Sequence, residues 1–340
     1  MDIQYFCRVL SGVSFKKLSS VIDRVHEITG KNRLAIFLDI LHCTKKYGAG
    51  YFDYQIFGLY KLSEAQRATF VTRVISRKLN VYLNDSEYVH FFENKDEFNK
   101  LFAGYIRRGW LVLAESNKDE VIRFCEGKAE VFAKLNDGEC SQGVERICVA
   151  DYPDLNDLYE HLMASGFGLL EDVVDQHPDV EALHPGSVNC LRIITLLDEE
   201  GEPHLLYTVQ KMGLGDSVVD CNCMFTPVDP ETGKIKYPAH SGDTPRGIVY
   251  EEQPDTHIKL VGYQIPFVPE AVAMCLEAAK VVPQVRYVGW DVAISRDGPE
   301  LIEGNTYCAH DFWQLPPHIP DGIGMLPVFR KYAPHFDPKA

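Results

Sequence analysis

No apolar run in the 340-residue chain approaches the roughly 20 residues needed to cross a bilayer, which excludes a membrane-spanning helix. The opening Met1-Asp2-Ile3-Gln4-Tyr5 lacks the charged-then-apolar pattern of a secretory leader, so the expected compartment is the cytoplasm. Basic residues are scarce: 34 Lys and Arg stand against 49 Asp and Glu, a net charge of −15. With a pI of about 5.2, the surface is repelled by polyanions, which excludes a general nucleic-acid binder or a protein held on an anionic membrane. A local basic pocket remains open. The ten cysteines are scattered, and Cys221-x-Cys223 has no partner pair at zinc-site spacing. Reduced thiols, mostly packed as small core residues, are expected, with a loop role for the Cys pair. There is no Gly-x-x-x-x-Gly-Lys-Ser/Thr loop, no internal repeat and no low-complexity tract.

Hydrophobic residues make up 46% of the chain, enough for a sizeable core spread over two or three domains. Residues 1–85 read as helical. Phe15, Leu18, Val21, Ile22, Val25 and Ile28 recur at helical spacing with Gly30 as a stop, a second helix starts at Leu34, and Ser63-x-x-Gln66 opens a third running through Leu79. Its Arg67, Arg73, Arg77 and Lys78 are expected on a solvated face. Residues 86–172 alternate helix and strand. Beyond 173 strands dominate, at 190–197, 205–211 and a final hairpin, with a helix near 269–280. Pro227 to Pro254 reads as a long functional loop or a small excursion.

The final hairpin carries the most chemistry. Gly289-Trp290-Asp291-Val292-Ala293-Ile294-Ser295 and Pro299-Glu300-Leu301-Ile302-Glu303-Gly304-Asn305 flank Arg296-Asp297-Gly298. A three-residue loop centred on Asp297 sets Asp291 opposite Glu303, with Asn305 further along the same face. Opposed carboxylates among apolar neighbours repel unless a cation lies between them, and two carboxylates with an amide oxygen suit Mg²⁺, which often arrives with nucleotide phosphates. The bland alternative is a hairpin with solvent-facing acids.

Three other segments suit phosphate. Glu130 to Val144 is a strand with Lys134, a loop bearing Gly138 and Gly143, and a second strand; glycines let backbone N–H groups approach phosphate while the lysine adds charge. An ordinary hairpin reads the same way. Leu169 to Val174 is an apolar strand ending in acids, suited to an adenine edge and a ribose, or else to a sheet edge. Arg192 lies inside the apolar strand Cys190 to Leu196, and a four-residue loop at Glu199–Glu202 sets it opposite Lys211. Two facing cations call for an anion, or each takes its own acid.

In this order the segments resemble an ATP-grasp enzyme. Gln176-His177-Pro178, Ser187-Val188-Asn189-Cys190-Leu191-Arg192, Gly262-Tyr263-Gln264-Ile265-Pro266 and Gly289-Trp290-Asp291-Val292-Ala293 through Glu303-Gly304-Asn305 resemble the sugar-transfer-associated branch, from about Tyr51 to Arg330. The resemblance implies an α+β ATP-grasp fold. A helical extension (1–85) would precede a lid subdomain with the glycine loop (86–172) and a core subdomain with the metal and acceptor sites (173–340). It implies that ATP is held by Lys95, Lys134, Gly138, Ser141, Gln142, Gly143, Glu171, Asp172, Val173 and Gln176, and that Mg²⁺ or Mn²⁺ is held by Asp291, Glu303 and Asn305. Arg192 and Lys211 would act on the γ-phosphate, and Asp220, Asn222 and His310 would line the acceptor pocket. The sequence departs from the branch at Asp220-Cys221-Asn222-Cys223-Met224, where a Gly-Gly pair is usual, and at Gln253-Pro254, where His-Pro is usual. The implied activity is ADP-forming ligation of a small-molecule or peptide carboxylate to an amine, or less readily to a thiol or hydroxyl. The alternatives are a phosphotransferase with a histidine carrier, for which His177, His257 and His310 qualify by type, and a nucleotide-binding module without catalysis.

Overall fold

Leu191–Leu197 and Tyr287–Ser295 are buried at every position. Strands of that kind need cover on both faces of their sheet, and the computed structural model, which describes residues 14–136, 143–216 and 223–339, supplies it. The large sheet is antiparallel with strand order β11-β10-β5-β6-β7-β8-β9. Its strands are β5 (Leu191–Leu197), β6 (Pro203–Gly213), β7 (Cys223–Pro227), β8 (Ala239–Ser241), β9 (Val249–Tyr250), β10 (Tyr287–Ser295) and β11 (Gly298–Asn305). One face, with Ile193, Met212, Trp290 and Val292, packs on the helix Val268–Ala278 and on Phe92, Phe98 and Phe102. On the opposite face Ile194, Leu196 and Tyr287 meet the helices Arg73–Leu83 and Leu326–Tyr332. Further along that face Val209 and Phe225 join the core of the N-terminal helices Phe15–Thr29, Arg33–Tyr47 and Tyr51–Ile56.

The smaller sheet has order β1-β4-β2-β3, from β1 (Trp110–Val112), β2 (Glu130–Lys134), β3 (Val144–Cys148) and β4 (Leu169–Asp172). Its core is closed by the helices Lys118–Cys125 and Leu155–Ala164. β4 lies between β1 and β2, so it is an interior strand and not a sheet edge.

Gly30 ends the first helix with φ 69°, as its spacing predicts. The Ser63–Gln66 capping box also forms, but its helix stops at Arg67, and a separate helix runs from Arg73 to Leu83. Burial of Phe70 and Val71 overrides the local preference to continue. Arg67 is not on a solvated face. Its guanidinium is buried, with Nη1 and Nη2 on the Asp39 carboxylate at 2.7 and 2.9 Å and Nε on the Leu59 carbonyl at 2.8 Å. The stretch from Pro227 to Pro254 is not one loop, because β8 and β9 extend the large sheet within it. Gln314 fixes the N-terminal region to the C-terminal segment: its Oε1 accepts from the N–H groups of Val71 (2.8 Å) and Met325 (2.9 Å), and its Nε2 donates to the Val71 carbonyl (2.9 Å). Cys43, Cys125, Cys275 and Cys308 are buried thiols. Among the described residues no helix is long and apolar enough to cross a membrane.

Candidate active site

Asp291 pairs with Glu303 across β10 and β11, but the turn that produces this is not a three-residue loop. The loop is Arg296-Asp297, closed by the Ser295–Gly298 pair, and Val292 pairs with Leu301. Continued unbroken, that register would set Asp291 against Ile302. A bulge between Asp291 and Val292 gives β11 one extra residue and brings Glu303 round instead. A one-residue slip exchanges the faces of a strand, so the bulge decides whether Glu303 meets Asp291 or turns away. Asn305 pairs with Gly289, and its Nδ2 donates to Glu303 Oε1 at 3.2 Å.

Arg192 lies directly opposite Asp291 on the other side of β10. It grips the carboxylate with two bonds, Nε to Oδ1 at 2.5 Å and Nη2 to Oδ2 at 2.7 Å. The expected Arg192–Lys211 pairing does not occur; Arg192 faces Val209. The loop is Asp198–Glu202, with the Asp198 carboxylate accepting the N–H groups of Glu200 and Glu202, and a shift at Ile194/Thr195 adds one residue to β6. The sum is the register a loop of Glu199–Glu202 would itself give, Arg192 against Val209, so the expected pairing was two residues out. Lys211 is two residues beyond Val209, on the same face, and its Nζ is 3.8 Å from Asp291 Oδ2. Both cations therefore converge on one carboxylate. Gly289 makes room for this, since a Cβ there would lie 2.7 Å from Ile194 Cδ1, 2.9 Å from Cys308 Sγ and 3.4 Å from Arg192 Cδ.

The two acids respond oppositely. Burial pushes Asp291 up, but Arg192 and Lys211 outweigh it and hold the carboxyl below its ordinary range. Burial and then the Asp291 charge push Glu303 up, against weaker pulls from Arg192, Lys211 and Lys134. Glu303 is thus the underneutralised member, opposite an acid and bonded by the Asn305 amide N–H. Among the described residues no group of three or more His, Cys, Asp or Glu is arranged for a metal; the set here is two carboxylates and an amide, all hard oxygen donors that fit Mg²⁺.

Lys134 ends β2 and approaches the ribbon from the small sheet. Its Nζ bonds Glu171 Oε2, and its charge also reaches Glu303. Gly143 closes the base of the glycine loop, its carbonyl accepting from Leu135 N at 2.8 Å. Its φ of 74° and a Cβ position 2.5 Å from Leu135 Cδ1 call for glycine. Gly138, Ser141 and Gln142 lie outside the described residues. Lys95 opens the helix Lys95–Leu101, and its N–H bonds the Asn136 carbonyl at 3.2 Å, so both lysines lie at this end of β2.

The acids of β4 have other work. Glu171 is buried and accepts from Arg108 Nε (3.1 Å) and Nη2 (2.9 Å), Asn99 Nδ2 (2.8 Å) and Lys134. Burial alone would push its carboxyl up, but Lys134 and Arg108 hold it well below the usual range. Asp172 is engaged by Lys128 at 2.5 Å. Gln176 is buried, and its amide spans Ser187 O and Asn189 N, each at 2.8 Å, bracing the turn that leads into β5. Val173 follows the paired part of β4 and is half-buried. The side chains of Glu171, Asp172 and Gln176 thus already hold protein partners.

His310 turns to the N-terminal helices, with Nε2 2.8 Å from Asp53 Oδ1. Asp220 and Asn222 lie outside the described residues. The sequence reading did not find Arg108. It bridges the two sheets, holding Glu171 with one edge and Glu300 of β11 with Nη1 at 3.1 Å. Glu300, an acid within an apolar run, was the available signal, but its partner lies far away in the chain.

The model of the sugar-transfer associated ATP-grasp family matches residues 132–329, and the chain belongs to that family. Its fold is the ATP-grasp fold with a helical N-terminal region. Solved structures similar to it include the ATP-grasp ligase PsnB complexed with minimal precursor (14% identity, TM-score 0.43, covering 74% of this chain and 63% of that one). Others are D-alanine–D-alanine ligase from Bacillus anthracis (13%, 0.42, 75% and 72%) and an ADP complex of N5-carboxyaminoimidazole ribonucleotide synthetase (12%, 0.40, 65% and 46%). The chain thus spans less than two thirds of PsnB. No curated protein matches it.

Proposed function

We propose that this member of the family is an ATP- and Mg²⁺-dependent ligase that activates a carboxylate as its acyl phosphate and couples it to an amine. The observation that carries this reading is the bulged ribbon, which opposes the buried Asp291 to the half-buried Glu303 and brings Arg192 and Lys211 onto Asp291. Glu303, Asp291 and Asn305 would hold Mg²⁺, which would supply charge neutralisation at the β- and γ-phosphates. Lys134 and Lys95 would position the phosphate tail from the small sheet, with backbone near Val173 against adenine. Arg192 and Lys211 line the ribbon where negative charge builds as the γ-phosphoryl group leaves ADP. Phosphoryl transfer needs positioning and charge neutralisation more than an acid or base, and this residue set supplies both. The acyl phosphate must be kept from water, a task suited to the loop rooted at Leu135 and Gly143.

The test is incubation with ATP, Mg²⁺ and pooled carboxylates and amines. Release of ADP and phosphate that depends on both additions is expected. Release of AMP and pyrophosphate would overturn the acyl-phosphate step.

A further inference from the structure

We propose that His310, held by Asp53 of the N-terminal helices, is the general base that takes the proton from the attacking amine. The inference rests on the ligase reading above and assigns that site a proton acceptor it otherwise lacks.

The segment after β11 crosses the active face of the large sheet. It leaves at Asn305, opposite Gly289. Cys308 Sγ then lies over Gly289 beside the Arg192 stem. Phe312 reaches Phe225, with ring centroids 4.5 Å apart, and Phe225 is the β7 partner of Lys211. His310 is between these two points, so the chain carries it past Arg192 and Lys211.

Its ring is held in one tautomer. Asp53 is buried, and its Oδ2 accepts the N–H groups of Gly50 (2.8 Å) and Arg73 (3.1 Å), leaving Oδ1 for His310 Nε2 at 2.8 Å. A carboxylate is acceptor-only, so Nε2 carries the proton and Nδ1 the lone pair. The Phe57 ring meets the imidazole edge-on at 5.8 Å, and the His310 carbonyl is fixed by Gln314 Nε2 at 2.8 Å. Among the described residues Nδ1 makes no hydrogen bond, and the side chain is 19% exposed. The arrangement is a buried carboxylate, an oriented imidazole and an accessible basic nitrogen.

In the step, the amine nitrogen bonds to the acyl carbon and the C–O bond to phosphate breaks, with phosphate taking the electron pair. The proton on the amine nitrogen passes to His310 Nδ1. The imidazolium formed is stabilised by the Asp53 carboxylate. The N-terminal helices would then supply part of the catalytic apparatus, beyond covering the sheet.

The rival is a structural pin joining the N-terminal helices to the C-terminal segment. Two variants separate them: His310→Gln, and Asp53→Asn, which removes the charge and leaves one oxygen to be shared between Nε2–H and the N–H groups of Gly50 and Arg73. Each full-length protein is given ATP, Mg²⁺ and the carboxylate pool, with either the amine pool or hydroxylamine, a nucleophile already unprotonated near neutral pH. The expected result is that His310→Gln lowers the ratio of amide to hydroxamate about a hundredfold, with the KM for ATP within about twofold of the parent. The Asp53→Asn variant should show a smaller drop and a changed pH dependence of amide formation. An unchanged ratio overturns the assignment, and so does a parallel fall of both products with a lowered Tm, which is the signature of the pin. No ADP release from the parent with any pool removes the ligase reading and this inference together. Independently of substrate, diethyl pyrocarbonate should acylate His310 in the parent protein; failure to do so at neutral pH overturns the accessible Nδ1 on which the proposal stands.

Discussion

Two buried ion clusters lie on β11, and they are built differently. At the junction of the sheets, Arg108 holds Glu171 and Glu300 at once, Lys134 and Asn99 complete Glu171, and the N–H groups of Arg107 and Arg108 bond Glu300 Oε2 at 3.2 and 3.1 Å. Donors are shared across both acids. Three residues along the strand, Arg192 and Lys211 both serve Asp291, while Glu303 has the Asn305 amide and a side-chain hydrogen bond to Asp291 itself. Each cluster sets two cations against two carboxylates, so charge count does not distinguish them. Distribution does. An evenly satisfied cluster clamps two sheets, and a lopsided one leaves a carboxylate ready for a further cation.

The sharpest break in this comparison is Glu303→Gln. It should lower ATP turnover on the order of 10³-fold while leaving Tm unchanged or raised, because it removes a half-buried charge opposite Asp291. Coupled ADP release and thermal melts read both effects, and a strongly destabilised variant with proportionate activity would make the ribbon another clamp. Arg108→Met should do the reverse. Leaving Glu171 and Glu300 without their shared partner should cost about 3–5 kcal/mol in denaturant unfolding. A cost under about 1 kcal/mol, the size of a surface pair, would mean the clamp is idle. Gly289→Ala tests whether the ribbon's geometry is tight: a Cβ against Ile194 and Cys308 should cost about 1–3 kcal/mol and lower turnover further by shifting Arg192.

The smallest effect is one of pH. Burial raises the Glu171 carboxyl, but Lys134 and Arg108 outweigh it, so the folded value is depressed. Its contribution is therefore present above the unfolded carboxylate value of about 4.3 and is lost as pH falls through and below it. Melting temperatures from neutral to acid pH should fall less steeply for Glu171→Gln than for the parent. Equal slopes would remove Glu171 from the clamp's electrostatics.

Much of this was legible in the chain. Gly30 and the Ser63–Gln66 box act through neighbours within a turn, and both appear as read. The acids of the final hairpin announced themselves by standing in apolar runs. The Asp291–Glu303 pairing was reached by the wrong route, because a two-residue turn followed by a bulge ends at the same pair as a three-residue turn. Arg192 and Lys211 were rightly grouped but wrongly opposed: a loop of Glu199–Glu202 pairs Arg192 with Val209, and the five-residue loop with its one-residue shift arrives at that same register. Arg67 was misread because its partner, Asp39, lies on another helix.

What the sequence determined alone is the inventory: which strands are buried on both faces, which carry an acid or a cation where water is excluded, and where glycine permits close approach. These follow from local periodicity and from the cost of burying charge. The tertiary structure decided the pairings. It gave Glu171 to Arg108, turned the Arg192 guanidinium onto Asp291, and carried His310 from beyond β11 to Asp53 in the N-terminal helices. Such choices depend on residues dozens to hundreds of positions apart, and packing, which no local pattern encodes, is what brings them into contact.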